Sequence, residues 1–149
     1  TNLKTIFIDE AWGLIGKGAS SHAAQYVLEM VKTIRGCGGA VVLATQDIND
    51  FFALDEGTYG AGILNNCKFK FILKTEASEA ARVAEVVNLS KQEWDDVLAF
   101  ERGTALLLAD TNHIVIDIKA TPEEHQLITT KREDLLRIAQ QRMMEEQKL

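Results

Sequence analysis

No apolar stretch in this chain approaches the ~20 residues needed to cross a bilayer, and no basic n-region followed by an apolar h-region opens it. A soluble, intracellular protein is therefore expected. Cysteine is scarce: Cys37 and Cys67 stand alone, with neither a C-x-x-C pair nor a Cys/His ligand spacing. That excludes a disulfide framework or a zinc site, and small core residues are expected at both positions. Positive charge is also short, 16 Lys and Arg against 22 Asp and Glu, a net charge of −6. Such a balance argues against general affinity for phosphate backbones, which grows with the number of neutralising Lys and Arg contacts, while leaving room for a local basic patch. Internal repeats and low-complexity stretches are missing as well.

What remains has the make-up of an ordinary globular protein, 46% hydrophobic and 26% charged over 149 residues, enough for one domain with a sizeable core. The most informative segment is Leu3 to Glu10, an apolar run ending in two adjacent carboxylates, Asp9 and Glu10. A strand end meeting solvent accounts for such a pair. So does a hydrolytic site: a buried strand carrying Asp then Glu at its C-terminal tip is how P-loop ATPases hold magnesium and a water. The chain opens on Thr1 and enters this strand at once, which predicts a piece of something longer.

Trp12 to Gly18 reads as a Gly-rich loop, and Ser20 or Ser21 can cap a helix to Arg35 with Ala24, Val27, Leu28, Val31 and Ile34 at helical spacing. Ala40 to Ala44 is a second apolar strand, so strand, helix and strand predict a parallel crossover unit. Phe51 to Gly62 reads as a loop, with a short helix over Gly60 to Asn66. Phe69 to Leu73 is a third strand, flanked by Lys68 and Lys74 and containing Lys70. Helices follow over Glu76 to Val87 and, from the capping box Ser90 to Glu93, through Phe100. Thr104 to Ala109 and His113 to Lys119 form a hairpin; Thr121-Pro122 starts a short helix. A second capping box, Thr130 to Glu133, opens a charged helix from Lys131 to about Lys148, with an apolar side of Leu135, Leu136, Ile138, Ala139 and Met143 that calls for a partner surface.

In an open parallel sheet, ligands bind outside the carboxyl ends of the strands, so Asp9-Glu10, Thr45-Gln46 and Lys74-Thr75 are expected along one edge. There Asp9 can hold magnesium through water, Glu10 can polarise a nucleophilic water, and Gln46 can hydrogen-bond that water or a phosphate oxygen. A strand-end amide satisfied by backbone explains Gln46 equally well.

Three segments together carry a family likeness: Ile8-Asp9-Glu10-Ala11-Trp12, the run Gly39 through Thr45-Gln46-Asp47 to Phe51, and Ile63-Leu64-Asn65-Asn66-Cys67. They resemble the C-terminal ATPase domain of VirB4-type proteins, the bacterial conjugation and type IV secretion ATPases within the FtsK/HerA group of RecA-like motors. Glu101-Arg102-Gly103 and the residues after it resemble that family's arginine-glycine segment before its terminal hairpin. The likeness implies an α/β fold, a mostly parallel partial RecA-like P-loop NTPase sheet with a C-terminal β-hairpin and terminal helix. Residues 1–149 would be the C-terminal portion of one ATPase domain, from the Walker B strand onward. It implies that Asp9 is the Walker B metal carboxylate, Glu10 the catalytic glutamate and Gln46 the sensor, with ATP and Mg²⁺ as cofactors. Arg35, Arg82 and Arg102 are candidates to reach a neighbouring subunit's phosphates, Arg102 being carried into the nucleotide-binding set. Trp12 lies just past the site, where a packing role is expected. The implied protein works as a hexamer with other secretion or conjugation proteins, with DNA as a further partner. It is cytoplasmic, reaching the inner face of the membrane through those partners.

The likeness has one large departure. A G-x-x-x-x-G-K-S/T phosphate loop is absent, and Gly13 to Gly18 has neither the spacing nor the Ser/Thr. In the family that loop lies upstream, and its strand sits between those ending at Thr45 and spanning Phe69 to Leu73. Without it two strand edges face a gap, so direct closure, exchange between copies or exposed edges are the choices, and self-association is expected. This chain by itself is expected to be inactive. A DNA-pumping FtsK/HerA-type motor, with Lys68, Lys70 and Lys74 towards a pore, and a non-catalytic interaction module using the terminal helix are the alternatives.

Overall fold

The computed structural model describes residues 3–146, which form two compact units divided between Ile116 and Asp117. The first unit opens with β1 (Lys4–Ile8), α1 (Trp12–Ile15), α2 (Ser21–Thr33) and a 3-10 turn, Ile34–Cys37, leading to β2 (Gly39–Leu43). It continues through α3 (Ile48–Phe51), a second 3-10 turn (Leu54–Gly57), α4 (Thr58–Asn66), β3 (Phe69–Leu73), α5 (Ala77–Val87) and α6 (Lys91–Ala99), and ends in β4 (Thr104–Ala109) and β5 (Asn112–Asp117). The second unit holds α7 (Pro122–Ile128) and α8 (Arg132–Glu146).

β1 and β2 pair in parallel, from Lys4 opposite Gly39 to Ile8 opposite Leu43. Their connection is α2, whose first free amides are met by Ser20, its side chain accepting from the Ala23 N–H. β3 pairs antiparallel with β4, and β5 follows β4 across the two-residue turn Asp110–Thr111. This is the α/β architecture with a C-terminal hairpin and terminal helix that the sequence leads one to expect, but its parallel part is confined to β1 and β2. Among the described residues β2 and β3 share no ladder, so the sheet does not close directly between them.

The larger core lies where α1, α2, α3 and α4 meet the C-terminal ends of β1 and β2. Ala11, Ile15, Ala24, Val27, Phe51, Phe52 and Ile63 are buried there, with Ile8, Trp12 and Leu43 packed against them. Ile15 and Ile63 are fully enclosed, each contributing about 1.5–3 kcal/mol of transfer free energy. Close approach sets one residue choice: a Cβ on Gly60 would lie 2.6 Å from the Phe51 carbonyl oxygen. A smaller core joins Val97 and Phe100 to Leu106 and Leu108, packing α6 on β4.

Several expectations need correction. β1 is not a buried strand: Phe7 is 75% exposed, because β1 has one neighbour and only Ile8 at its tip packs against the core. Cys37 is exposed rather than internal, since the 3-10 turn carries it outward, while Cys67 is half-buried. Trp12 to Ile15, expected as loop, is one turn of helix, and so is Ile48–Phe51, whose N-cap Asp47 accepts from the Asp50 N–H at 2.8 Å. α4 begins two residues before the predicted Gly60 because Gly57, at φ 84°, turns the chain into it. β5 ends at Asp117 rather than Lys119. The expected box at Thr130 to Glu133 is replaced: the Thr129 hydroxyl accepts from the Lys131 N–H at 3.3 Å and donates to the Asp134 carboxylate at 3.2 Å. The predicted helix end near Lys148 lies outside the described residues.

Candidate functional site

β1 and β2 deliver their polar ends to one edge, and two hydrogen bonds continue the pairing past the strands. Ala44 N–H donates to Ile8 O at 2.9 Å, and Ala11 N–H donates to Ala44 O at 2.8 Å. Asp9 and Glu10 lie between these two bonds, and Thr45-Gln46 directly follows Ala44. The edge is a consequence of parallel pairing: both strands end in the same direction, so both polar tips emerge together.

Glu10 adopts a left-handed backbone conformation, φ 51°, which an L side chain takes at a cost of about 1–2 kcal/mol. Its surroundings hold it there. The Glu10 N–H donates to Asp9 Oδ1 at 3.0 Å, the Glu10 carbonyl accepts from Gly13 N–H at 2.9 Å, and buried Ala11 fixes the next residue. The Trp12 indole N–H donates to Glu10 Oε2 at 2.7 Å. Trp12 packs against the core as expected from its place past the site, but it also reaches the carboxylate. Its spacing, two residues after Glu10 and carrying an N–H donor, was the signal for this contact.

Asp9 and Glu10 are both exposed to solvent. Asp9 Oδ1 is occupied by the Glu10 amide, and Oδ2 makes no hydrogen bond among the described residues. No group of three or more His, Cys, Asp or Glu suited to a metal occurs among the described residues. A cage made wholly of protein ligands therefore does not fit this edge. Magnesium held through water does, because that ion keeps several waters and takes only one or two carboxylates besides substrate phosphates. The phosphate-cradling half of a nucleotide site is not in this sequence.

The other sequence candidates are dispersed. Gln46 is exposed at the β2 tip, followed by Asp47 at the cap of α3. Arg102 is exposed in the turn before β4, which the register places at the C-terminal end of β3, past Leu73 and its partner Ala105. Arg82 lies on α5 with its guanidinium 5.4 Å from the Phe52 ring centre and 3.0 Å from Glu85. Arg35 precedes β2, at the opposite end of that strand from Gln46. Two of the three lysines around β3 are engaged: Lys70 donates to Cys67 O at 2.7 Å, and Lys68 lies 3.5 Å from Asp110. Burial pushes the Cys67 thiol pKa up, opposed by the Lys70 charge.

The TraG P-loop domain family matches residues 1–147. This chain belongs to that family. Among solved structures, VirB4 of Thermoanaerobacter pseudethanolicus is similar at 29% identity and a TM-score of 0.76, covering 83% of this chain and 33% of that one. The chain thus spans about a third of that VirB4. Two forms of the genome-packaging NTPase B204, from Sulfolobus turreted icosahedral virus 2 with ATP-gammaS and from Sulfolobus turreted icosahedral virus, share the fold. Their identities are 17% and 16%, with TM-scores of 0.55 and 0.56, each covering 78% of this chain and 52% of theirs. Among curated proteins no match is found. Membership in the TraG P-loop domain family, together with the VirB4 likeness, gives the chain a P-loop NTPase fold, that of a nucleotide-binding family. No helix among the described residues is long and apolar enough to cross a membrane.

Proposed function

We propose that this chain is the hydrolytic edge of a VirB4/TraG-type ATPase domain, a motor that uses ATP to energise conjugative DNA transfer or type IV secretion. The observation that carries this reading is the Asp9-Glu10 pair at a parallel strand tip, with Glu10 held in a left-handed conformation beside Thr45-Gln46. Asp9 is the Walker B residue and holds Mg²⁺ through water. When bound, that ion neutralises charge on the phosphates. Glu10 takes a proton from a water as the water oxygen bonds the γ-phosphorus and the bond to the bridging oxygen breaks, its electron pair leaving with ADP. Gln46 orients the attacking water, and Arg102 serves nucleotide binding.

The motor acts as a hexamer in bacteria, on the cytoplasmic side of the membrane, held there through other secretion proteins. Self-association of this chain is supported by the exposed Phe7, Phe69 and Phe71 and by the lack of a ladder between β2 and β3. A monodisperse monomer by light scattering over a hundredfold concentration range would refute it. The engagement of Lys68 and Lys70 weighs against a basic DNA-tracking path on this surface.

The decisive test is Glu10→Gln in the complete ATPase. Nucleotide binding is retained and turnover falls by at least about a hundredfold, the lower end of what a positioned base supplies. Wild-type turnover in that variant refutes the assignment.

A further inference from the structure

We infer that Trp12 is a positioning residue for Glu10: its indole N–H holds Oε2, leaving Oε1 free to take the proton from water. This deepens the proposed function and rests on it. Three observations converge on the inference. The indole donates to Glu10 Oε2 at 2.7 Å. The ring is anchored against the buried cluster that contains Ala11, Ile15 and Phe51, so the donor is not a free surface side chain. The Glu10 backbone is left-handed, its N–H is held by Asp9 Oδ1, and the peptide group after it is fixed by Ala11 N–H on Ala44 O and Gly13 N–H on Glu10 O.

A glutamate has three rotatable side-chain bonds, and a fixed backbone alone does not aim its carboxylate. A donor whose ring packs against the core does, since an anchored N–H on a carboxylate is short, strong and directional. The effect is specific to one oxygen: engagement of Oε2 orients the other towards solvent-side water. Misplacing a reacting group by about 1 Å costs up to about a hundredfold in rate, so the contact bears on turnover more than on nucleotide binding.

The test separates the contact, its role and the underlying reading. In this chain, the indole N–H resonance of Trp12, assigned by Trp94→Phe, moves on Glu10→Ala; an unmoved resonance overturns the inference. In the complete ATPase, Trp12→Phe keeps ring packing but loses the donor, and kcat falls about tenfold with KM for ATP within about twofold. Benzothienylalanine at position 12, an isostere without the N–H, gives the same loss, while 5-fluorotryptophan, which keeps it, restores the rate. Both are introduced at position 12 alone, by site-specific incorporation at a stop codon. Wild-type kcat with benzothienylalanine, alongside an inactive Glu10→Gln enzyme, overturns the role of Trp12 and leaves the ATPase reading standing. Wild-type turnover in Glu10→Gln overturns the ATPase reading itself.

Discussion

Gly16 closes the single turn of α1, the helix that carries Trp12, and it is wedged between two stretches of backbone. A Cβ there would meet the Asp50 carbonyl oxygen at 2.4 Å, the Trp12 carbonyl oxygen at 2.6 Å and the Asp50 carbonyl carbon at 2.9 Å. Ordinary contact begins near 3.5 Å, so Gly16→Ala requires a shift of roughly 1 Å. None of the three atoms is the flexible end of a side chain. The Gly16 N–H also donates to Trp12 O at 2.6 Å, so the shift strains the turn from both sides. Overpacking of this kind costs about 1–3 kcal/mol. Gly13, on the same turn, has nothing within 4 Å of its Cβ position, and Gly13→Ala gains about 0.5–1 kcal/mol from helix propensity. The same chemical change at two positions three residues apart thus moves stability in opposite directions, by about 3 kcal/mol between them. Urea unfolding followed by circular dichroism reads this directly, and in a thermal scan the two variants differ by roughly 10 °C for a unit of this size. Equal stability for both variants, with native secondary structure intact, would refute the packing argument for α1 and with it the anchoring of Trp12.

The Glu93 carboxyl titrates below its ordinary value because the Ser90 hydroxyl and amide both donate to it, with His113 adding a third bond at 2.6 Å. A carboxyl depressed in the folded state stabilises above its unfolded value, about 4.3, and loses that contribution as pH falls through the lower folded value. Ser90→Ala costs about 1 kcal/mol at neutral pH and flattens the decline of stability below pH 4.3; an unchanged acid slope in urea titrations would contradict this. Asp134 behaves alike, depressed first by His125 and then by Thr129 and Arg137, so His125→Ala weakens the acid dependence of the second unit. Cys37 is exposed and Cys67 is half-buried with a raised pKa, so a thiol reagent at pH 7 modifies one cysteine per chain at least about tenfold faster than the other. Cys37→Ser removes the fast phase; equal rates for the two thiols would refute the burial assignment.

Caps were legible because they depend on contacts within four residues. Ser20, Ser90 with Glu93, and Thr121 before Pro122 cap the helices predicted from them, and Glu124 completes a box at Thr121. One-turn helices were not legible, since Trp12–Ile15 and Ile48–Phe51 are too short to show a period, and each is held by tertiary packing around Gly16. Burial was misjudged where it depends on distant chain: the apolar residues of β1 state what the strand tolerates, while its exposure follows from having one neighbour. The box expected at Thr130 did not form: Asp134 is drawn into a cluster with Thr129, His125 and Arg137 instead.

At the site, adjacency of Asp9 and Glu10 and their place at a strand tip follow from local order, as does the parallel crossover that brings Thr45-Gln46 to the same edge. Residue identity and spacing sufficed because strand polarity alone carries the tips to one side. The bond from the Trp12 indole joins residues only two apart, but the left-handed backbone of Glu10 and the wedge at Gly16 belong to three dimensions. They arise because Ala11 bonds across to Ala44 while α1 packs against α3, contacts between residues more than thirty apart that no local pattern encodes.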